Sequence, residues 1–293
     1  MPGDLRQATV PQVGPAPKIY NRGALTYSDT FNSPAKRAVI QAMEWCTGKI
    51  KILRMVRDFE KRGRLQGQDF WDGAVQAMGI DIQTAQDLLD LIPKDGPVIV
   101  VANHPHGLVD GMILAQMLGR VRPDYRILTR AFLAEIDEGA GSVMIPVPFP
   151  HDADAQEKML EMRRASMAHL NDGGMIALFP SGVVASSNTM FGPMIEDDWN
   201  VFTAKLIRKS GARVVPLYFP GANSRWYQMA NQISPVLRQG LLIHEIARAC
   251  GKPQKPVIGA PFDVADLNER LQNPRKAMAW MRAQTLALGQ QTG

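Results

Sequence analysis

The chain has 293 residues, 45% apolar and 21% charged, with a formal net charge of +5 at pH 7. That composition excludes a disordered or collagen-like chain and fits a folded protein able to bury a sizeable core. Apolar runs end after a handful of residues, far short of the roughly 20 that span a bilayer. Cys46 and Cys250 stand in no metal-ligand spacing and suit a reducing cytoplasm.

Residues 1–24 are rich in Pro and Gly and lack an apolar core, which predicts a disordered arm and not a secretory signal. From residue 25 to residue 293 one domain is expected, with basic helices over 35–79, an α/β core over 80–262 and helices over 263–293. Between Lys36 and Arg64 stand nine basic residues and three acids, a surplus larger than that of the whole chain. Val39, Ile40, Met43, Trp45, Ile50, Ile52, Leu53, Val56 and Phe59 recur there at roughly helical spacing, and Gly48 divides the stretch into two helices. A basic amphipathic helix is what an anionic membrane surface attracts. An ordinary surface helix with its apolar side on the core is the equal alternative; no nucleic-acid motif accompanies the charge.

Phe70 to Met78 reads as a helix and Gly79-Ile80-Asp81-Ile82 as a short strand. Thr84, with Asp87 three residues on, is expected to cap a helix through Leu91. Strands then alternate with helices. Val98 to Ala102, Arg126 to Thr129, Val143 to Val147, Met175 to Phe179 and Val214 to Phe219 read as strands, and a short helix through Ala134 follows the second. Ala155 to Leu170 and Val201 to Lys209 read as helices. This alternation predicts a mainly parallel central sheet with helices on both faces, preceded by the N-terminal helices. A strand at Pro256 to Gly259 and helices over Val264 to Leu271 and Lys276 to Leu286 complete the pattern.

The chemistry gathers at Asn103-His104-Pro105-His106-Gly107-Leu108-Val109-Asp110-Gly111, where the central strand breaks into a turn and a helix begins. Ligand sites of α/β sheets lie at such strand ends. An imidazole titrates near neutral pH, and a neighbouring carboxylate orients it and favours its protonated form, so a His/Asp pair suits general-base work. His104 and Asp110 can meet only if the Pro105-His106-Gly107 turn bulges; His106 and Asp110 meet only if both are helical.

Asn103-His104-Pro105-x-Gly107-x-x-Asp110-Gly111 resembles the first motif of the lysophospholipid acyltransferase superfamily. The spacing is most similar to the bacterial hemolysin-like branch, whose His-to-Asp gap is one residue longer than in the glycerol-phosphate acyltransferases. The resemblance implies that His104 is the base that deprotonates an acceptor hydroxyl or amine, that Asp110 orients it, and that an acyl thioester is then attacked. Phe179-Pro180-Ser181-Gly182 resembles the third motif, which helps bind the acceptor, but Ser181 stands where that motif carries an acid and no arginine follows Gly182. Those charges meet glycerol phosphate in the phosphate-binding relatives. Arg130 is the candidate cation of the second motif, or else the partner of Glu135 or Asp137. Val214-Val215-Pro216 resembles the fourth motif. Ala222-Asn223-Ser224-Arg225-Trp226-Tyr227 resembles the hemolysin-like branch, with Asn223 and Arg225 expected at a polar head group.

Ser181 lies outside any Gly-x-Ser-x-Gly elbow, which argues against a serine hydrolase. A metal set of His104, His106, Asp110 and His151 lacks a paired-histidine helix spacing. The resemblance therefore implies an acyltransferase that moves a fatty acyl chain from acyl-coenzyme A or acyl-carrier protein to a lysophospholipid or lyso-aminolipid. It would be peripheral on the inner face of a bacterial membrane, in contact with anionic lipid. The thioester is already activated, so no metal or tightly bound cofactor is expected. The site is expected to comprise His104 and Asp110 with Asn103, Arg130, Pro180, Ser181, Gly182, Asn223 and Arg225. A lipid-binding protein without chemistry, and a lipid hydrolase, are the alternatives.

Overall fold

The computed structural model describes residues 20–129, 141–148 and 154–290. At its centre is β2 (Val98–Ala102), five apolar residues that are all buried. Alternate side chains leave a strand on opposite faces. Val98, Val100 and Ala102 thus join one core cluster, and Ile99 and Val101 join the other. Each such fully buried Val or Ile contributes about 1.5–3 kcal/mol. Both faces of the sheet are covered as a result.

The sheet has six strands, in the order β10 (Val257–Ile258), β8 (Arg213–Tyr218), β2, β5 (Met175–Leu178), β3 (Tyr125–Thr129), β4 (Met144–Pro146). Every neighbouring pair is parallel except β10 with β8, which is antiparallel at the edge. Because β5 and β8 flank β2 in parallel, the turns after β2 and β5 emerge side by side at one edge of the sheet. This is the strand-order reversal where open α/β sheets form a crevice. Short pairs lie outside the main sheet: β1 (Asp81–Ile82) with β9 (Pro253–Gln254), and β6 (Ser186–Ser187) with β7 (Met194–Ile195).

One face of the sheet carries α2 (Lys49–Glu60), α3 (Gly67–Ala77), α5 (Leu108–Val121) and α10 (Leu242–Ala249), joined through Phe59, Trp71, Ile113 and Ile246. The other carries α6 (Ala155–Asn171), α7 (Val201–Ser210) and α12 (Pro274–Ala287), through Leu170, Leu206 and Met281. Among the described residues no helix is long and apolar enough to cross a membrane.

The N-terminal stretch does divide at Gly48, into α1 (Pro34–Thr47) and α2. The two helices meet against α10, where a Cβ on Gly48 would stand 2.9 Å from the Ile243 carbonyl oxygen. Only Ile40 and Glu44 of α1 are buried. Glu44 accepts from Tyr27 N at 2.7 Å, Thr26 Oγ1 at 2.9 Å and Lys49 Nζ at 3.0 Å, so its charge is fully satisfied. Val39, Trp45 and Ile50 stay 46%, 52% and 48% exposed. The apolar residues of this stretch are therefore split between the core and an outward face.

Two expectations need correction. Residues 20–24 are not part of a loose arm: Tyr20 is buried with its ring stacked on Phe59 at 5.4 Å, and Arg22 pairs with Glu60. Thr84 does not cap α4 (Gln86–Leu89); the cap position falls on Ala85, and the Thr84 hydroxyl donates to Pro256 O at 2.9 Å. After β8 the chain forms α8 (Arg225–Ile233), then α9 (Pro235–Gly240), capped by Ser234, and α10. The segment expected as a helix through Ala134 lies outside the described residues.

Candidate active site

The loop after β2 is shaped by Asp110, third residue of α5. One carboxylate oxygen, Oδ2, accepts from His106 N at 2.8 Å, Gly107 N at 3.1 Å and the His104 ring at Nδ1, 3.0 Å away. Acidic groups near a helix N-terminus satisfy its free amides and meet its partial positive charge. The turn bulges as the spacing required. Gly107, just before α5, has φ +72 and ψ −124, a backbone conformation for which glycine is suited, and a Cβ there would stand 3.2 Å from Val184 Cγ2.

A carboxylate only accepts hydrogen bonds, so the His104 nitrogen that faces Asp110 carries the ring proton. Nε2 is left as the acceptor. His104 is otherwise held on every side: its ring stacks on Phe179 with centroids 3.8 Å apart, its carbonyl accepts from Ala185 N at 2.8 Å, and its amide donates to Glu196 Oε2 at 3.0 Å. His106 is a different case. Its Nε2 donates to Pro220 O at 2.9 Å, which ties the loop to the end of β8 and uses its ring for structure.

His104 lines two joined lobes of a cleft. The larger, about 450 Å³, is bounded by Tyr27, Leu108, Val184, Tyr227 and Arg238. The smaller, about 260 Å³, is bounded by Met159, Arg163, Ser181, Phe202 and Thr203. Thr129, Phe179 and Gly182 belong to both. Behind Leu108, a wholly apolar cavity of about 110 Å³ lies among Phe59, Trp71, Ala74 and Met112.

The other expected site residues divide. Pro180, Ser181 and Gly182 line the smaller lobe, so the turns after β2 and β5 do converge. The Ser181 hydroxyl is shared between Val183 O, 3.0 Å away, and Glu196, and is not paired with the imidazole as a nucleophile would be. Asn103 is a correction. It is buried, its Oδ1 accepting from Phe219 N at 2.7 Å and its Nδ2 donating to Phe219 O at 2.9 Å, so it locks β2 to the end of β8 and offers nothing to a ligand. Arg225 is a second correction, because it donates to Gly192 O at 2.8 Å and Phe191 O at 3.3 Å and pins the β6–β7 hairpin. Asn223 is also buried, just before the Ser224 cap of α8. Arg130 and His151 lie outside the described residues. Among the described residues no group of three His, Cys, Asp or Glu side chains could hold a metal ion.

Glu196 was missed in the sequence. It follows β7, is 3% exposed, and accepts from His104 N and from Trp199 Nε1 at 3.1 Å. Burial pushes its carboxyl above the ordinary range, while donors from His104, Trp199 and Ser181 pull it back. The one available signal was an acid beside the tryptophan in Ile195-Glu196-Asp197-Asp198-Trp199, which by itself reads as a solvated run.

Fold and site together define an α/β protein with a histidine–aspartate pair at the end of a central parallel strand and a cleft above it. Residues 86–219, a little under half of the chain, match the family model described as Acyltransferase. The chain is 29% identical over 169 residues to the lyso-glycine lipid O-acyltransferase of Phocaeicola vulgatus, with 56% of each protein covered. It thus spans little more than half the length of that relative. It is also similar to the crystal structure of the 1-acyl-sn-glycerophosphate acyltransferase PlsC from Thermotoga maritima, with a TM-score of 0.42 and 16% identity over 89% of this chain and 85% of that one.

Proposed function

We propose that this protein transfers a fatty acyl group from an acyl thioester, carried by coenzyme A or acyl-carrier protein, to the hydroxyl of a lysolipid, with His104 as general base and Asp110 as its orienter. The observation that carries the reading is the 3.0 Å contact of His104 Nδ1 with a buried, acceptor-only oxygen, which leaves Nε2 basic at the cleft. The acceptor hydroxyl gives its proton to Nε2 while its oxygen bonds to the thioester carbonyl carbon. The tetrahedral adduct then expels the sulfur, and the imidazolium returns the proton to the departing thiolate. The products are an ester and a free thiol. Asp110 keeps the Nδ1 proton in place and offsets the charge that the ring acquires.

Within that class, a lyso-aminolipid acceptor is favoured over a phosphate-bearing one. The turn at Ser181 lacks the acid and the following arginine that meet glycerol phosphate in the motif it resembles, and the Phocaeicola relative is named for a lyso-glycine lipid. The apolar cavity behind Leu108 suits the end of an acyl chain. Membrane contact falls to α1 and α2, where exposed Val39, Trp45 and Ile50 stand among lysines and arginines that would face anionic lipid at the inner surface of the membrane.

The test is transfer of label from acyl-carrier protein and from acyl-coenzyme A to a panel of lysolipids and lyso-aminolipids, with His104→Ala beside the wild type. Label is expected in one lipid class only, and His104→Ala should lower turnover by about 10²–10⁴-fold while keeping its fold. No label in any lipid would turn the assignment to a lipid-binding protein. Release of free acid without an acceptor would turn it to a hydrolase.

A further inference from the structure

We propose that Glu196 is a positioning residue for His104: its buried carboxylate holds the His104 peptide and supplies, from the far end of the β6–β7 hairpin, the acid that the Phe179-Pro180-Ser181-Gly182 turn lacks. The inference rests on the reading of His104 as the base. Three contacts carry it. Oε2 accepts the His104 amide at 3.0 Å, Oε1 accepts the Trp199 indole at 3.1 Å, and the Ser181 hydroxyl lies within reach between the two motif turns. One carboxylate therefore joins the turn after β2 to the turn after β5. With Ala185 N on the His104 carbonyl, both ends of the His104 peptide are fixed.

Glu196 is held in turn. Its own carbonyl accepts the guanidinium of Arg282 from α12, which ties this segment to the face of the sheet opposite α5. Asp110 faces His104 Nδ1, Arg238 and Arg163 line the larger and smaller cleft lobes beside His104, His106 has its ring turned to Pro220, Arg282 meets the Glu196 backbone, and Asp197 and Asp198 are exposed. Asp110 and Glu196 thus set two buried carboxylates about one imidazole, one at the ring and one at the backbone.

Burial raises the Glu196 carboxyl above its ordinary range, so ionising it works against the fold, while its two oxygens satisfy the His104 and Trp199 donors. What the charge does supply is a negative potential beside a ring that turns positive during the reaction.

The experiment uses Glu196→Gln in the full chain, with kcat and KM for donor and acceptor across the neutral pH range, thermal melting, and NMR titration of the His104 ring assigned by its loss in His104→Ala. Outer-shell carboxylates behind metal-bound histidines are worth about 10- to 100-fold in activity, and a loss of about that size in kcat is expected here with both KM values within about twofold. The acid limb of the rate profile should move to lower pH, because the imidazolium has lost a neighbouring negative charge, and the ring resonances should move the same way with no substrate present. The glutamine amide would face the Trp199 indole. Glu196→Gln/Trp199→Phe removes that clash and keeps the test available if the single variant unfolds. A profile and a ring titration that both stay in place overturn the proposal, as does a kcat loss that only follows the melting temperature. Because the NMR reading needs no turnover, failure here is separable from failure of the acyl-transfer assignment.

Discussion

Asp110→Asn isolates the charge of the orienting residue from its geometry. Three donors converge on one oxygen of Asp110, and two of them are backbone amides, His106 N at 2.8 Å and Gly107 N at 3.1 Å. An asparagine amide nitrogen cannot face two N–H groups, so its carbonyl oxygen takes the same place and His104 keeps its Nδ1 proton. The NH2 then occupies the Oδ1 position, which is buried and without a hydrogen-bond partner among the described residues, so little structure is lost there. What disappears is the charge beside a ring that becomes cationic. Hydrogen bonds to charged groups are worth about 1.5–3 kcal/mol against about 1 for neutral ones. The difference is about 0.5–2 kcal/mol, which at about 1.4 kcal/mol per decade should lower kcat/KM by roughly 2- to 30-fold. Asp110→Ala should behave differently, because it strands both backbone donors at about 1–3 kcal/mol each and the melting temperature must fall. The assay is steady-state acyl transfer with a melt on each variant. An Asp110→Asn enzyme with the kcat/KM of wild type, or one as inactive as His104→Ala, would refute the reasoning.

Other outcomes follow from the surface and from Glu196. Replacing exposed Trp45 or Ile50 by serine should lower binding to anionic liposomes by about tenfold, given about 1.5–3 kcal/mol for a fully buried large apolar side chain. Raised salt should weaken what remains by screening the lysines and arginines; binding indifferent to both changes would remove the membrane role of α1 and α2. The folded-state carboxyl of Glu196 is raised, so the fold holds that proton more tightly than the unfolded chain and its stabilising effect is lost as pH rises through the carboxylate range. The melting temperature of Glu196→Gln minus that of wild type should therefore be more positive near neutrality than in acid. A difference that does not change with pH would mean that the carboxyl is not desolvated.

Much of the architecture was legible before any coordinates, and for local reasons. Val98 to Ala102 is an apolar β-branched run ended by a Pro- and Gly-bearing turn, and such runs fix a buried strand whatever surrounds them. The alternation of such strands with helices implied a parallel sheet, and the His104-to-Asp110 spacing implied a bulged turn; both follow from period and steric reach. The mistakes came where a side chain's partner is remote in sequence. Asn103 looked like a ligand-binding amide until its bonds to Phe219, 116 residues on, were placed. Arg225 looked free until the hairpin carbonyls were seen to occupy it.

Composition and periodicity thus determined the fold class and the central strand, and the motif resemblance chose the His104–Asp110 pair that spacing alone left open against His106, because each depends on neighbours a few residues apart. Tertiary structure alone decided which polar residues face the cleft and which are consumed in holding it. It showed that the acid missing beside Pro180 has a counterpart in Glu196, 92 residues beyond the His104 amide that it accepts. Hydrogen bonds between distant segments leave no period in a sequence, and only the folded chain brings their partners together.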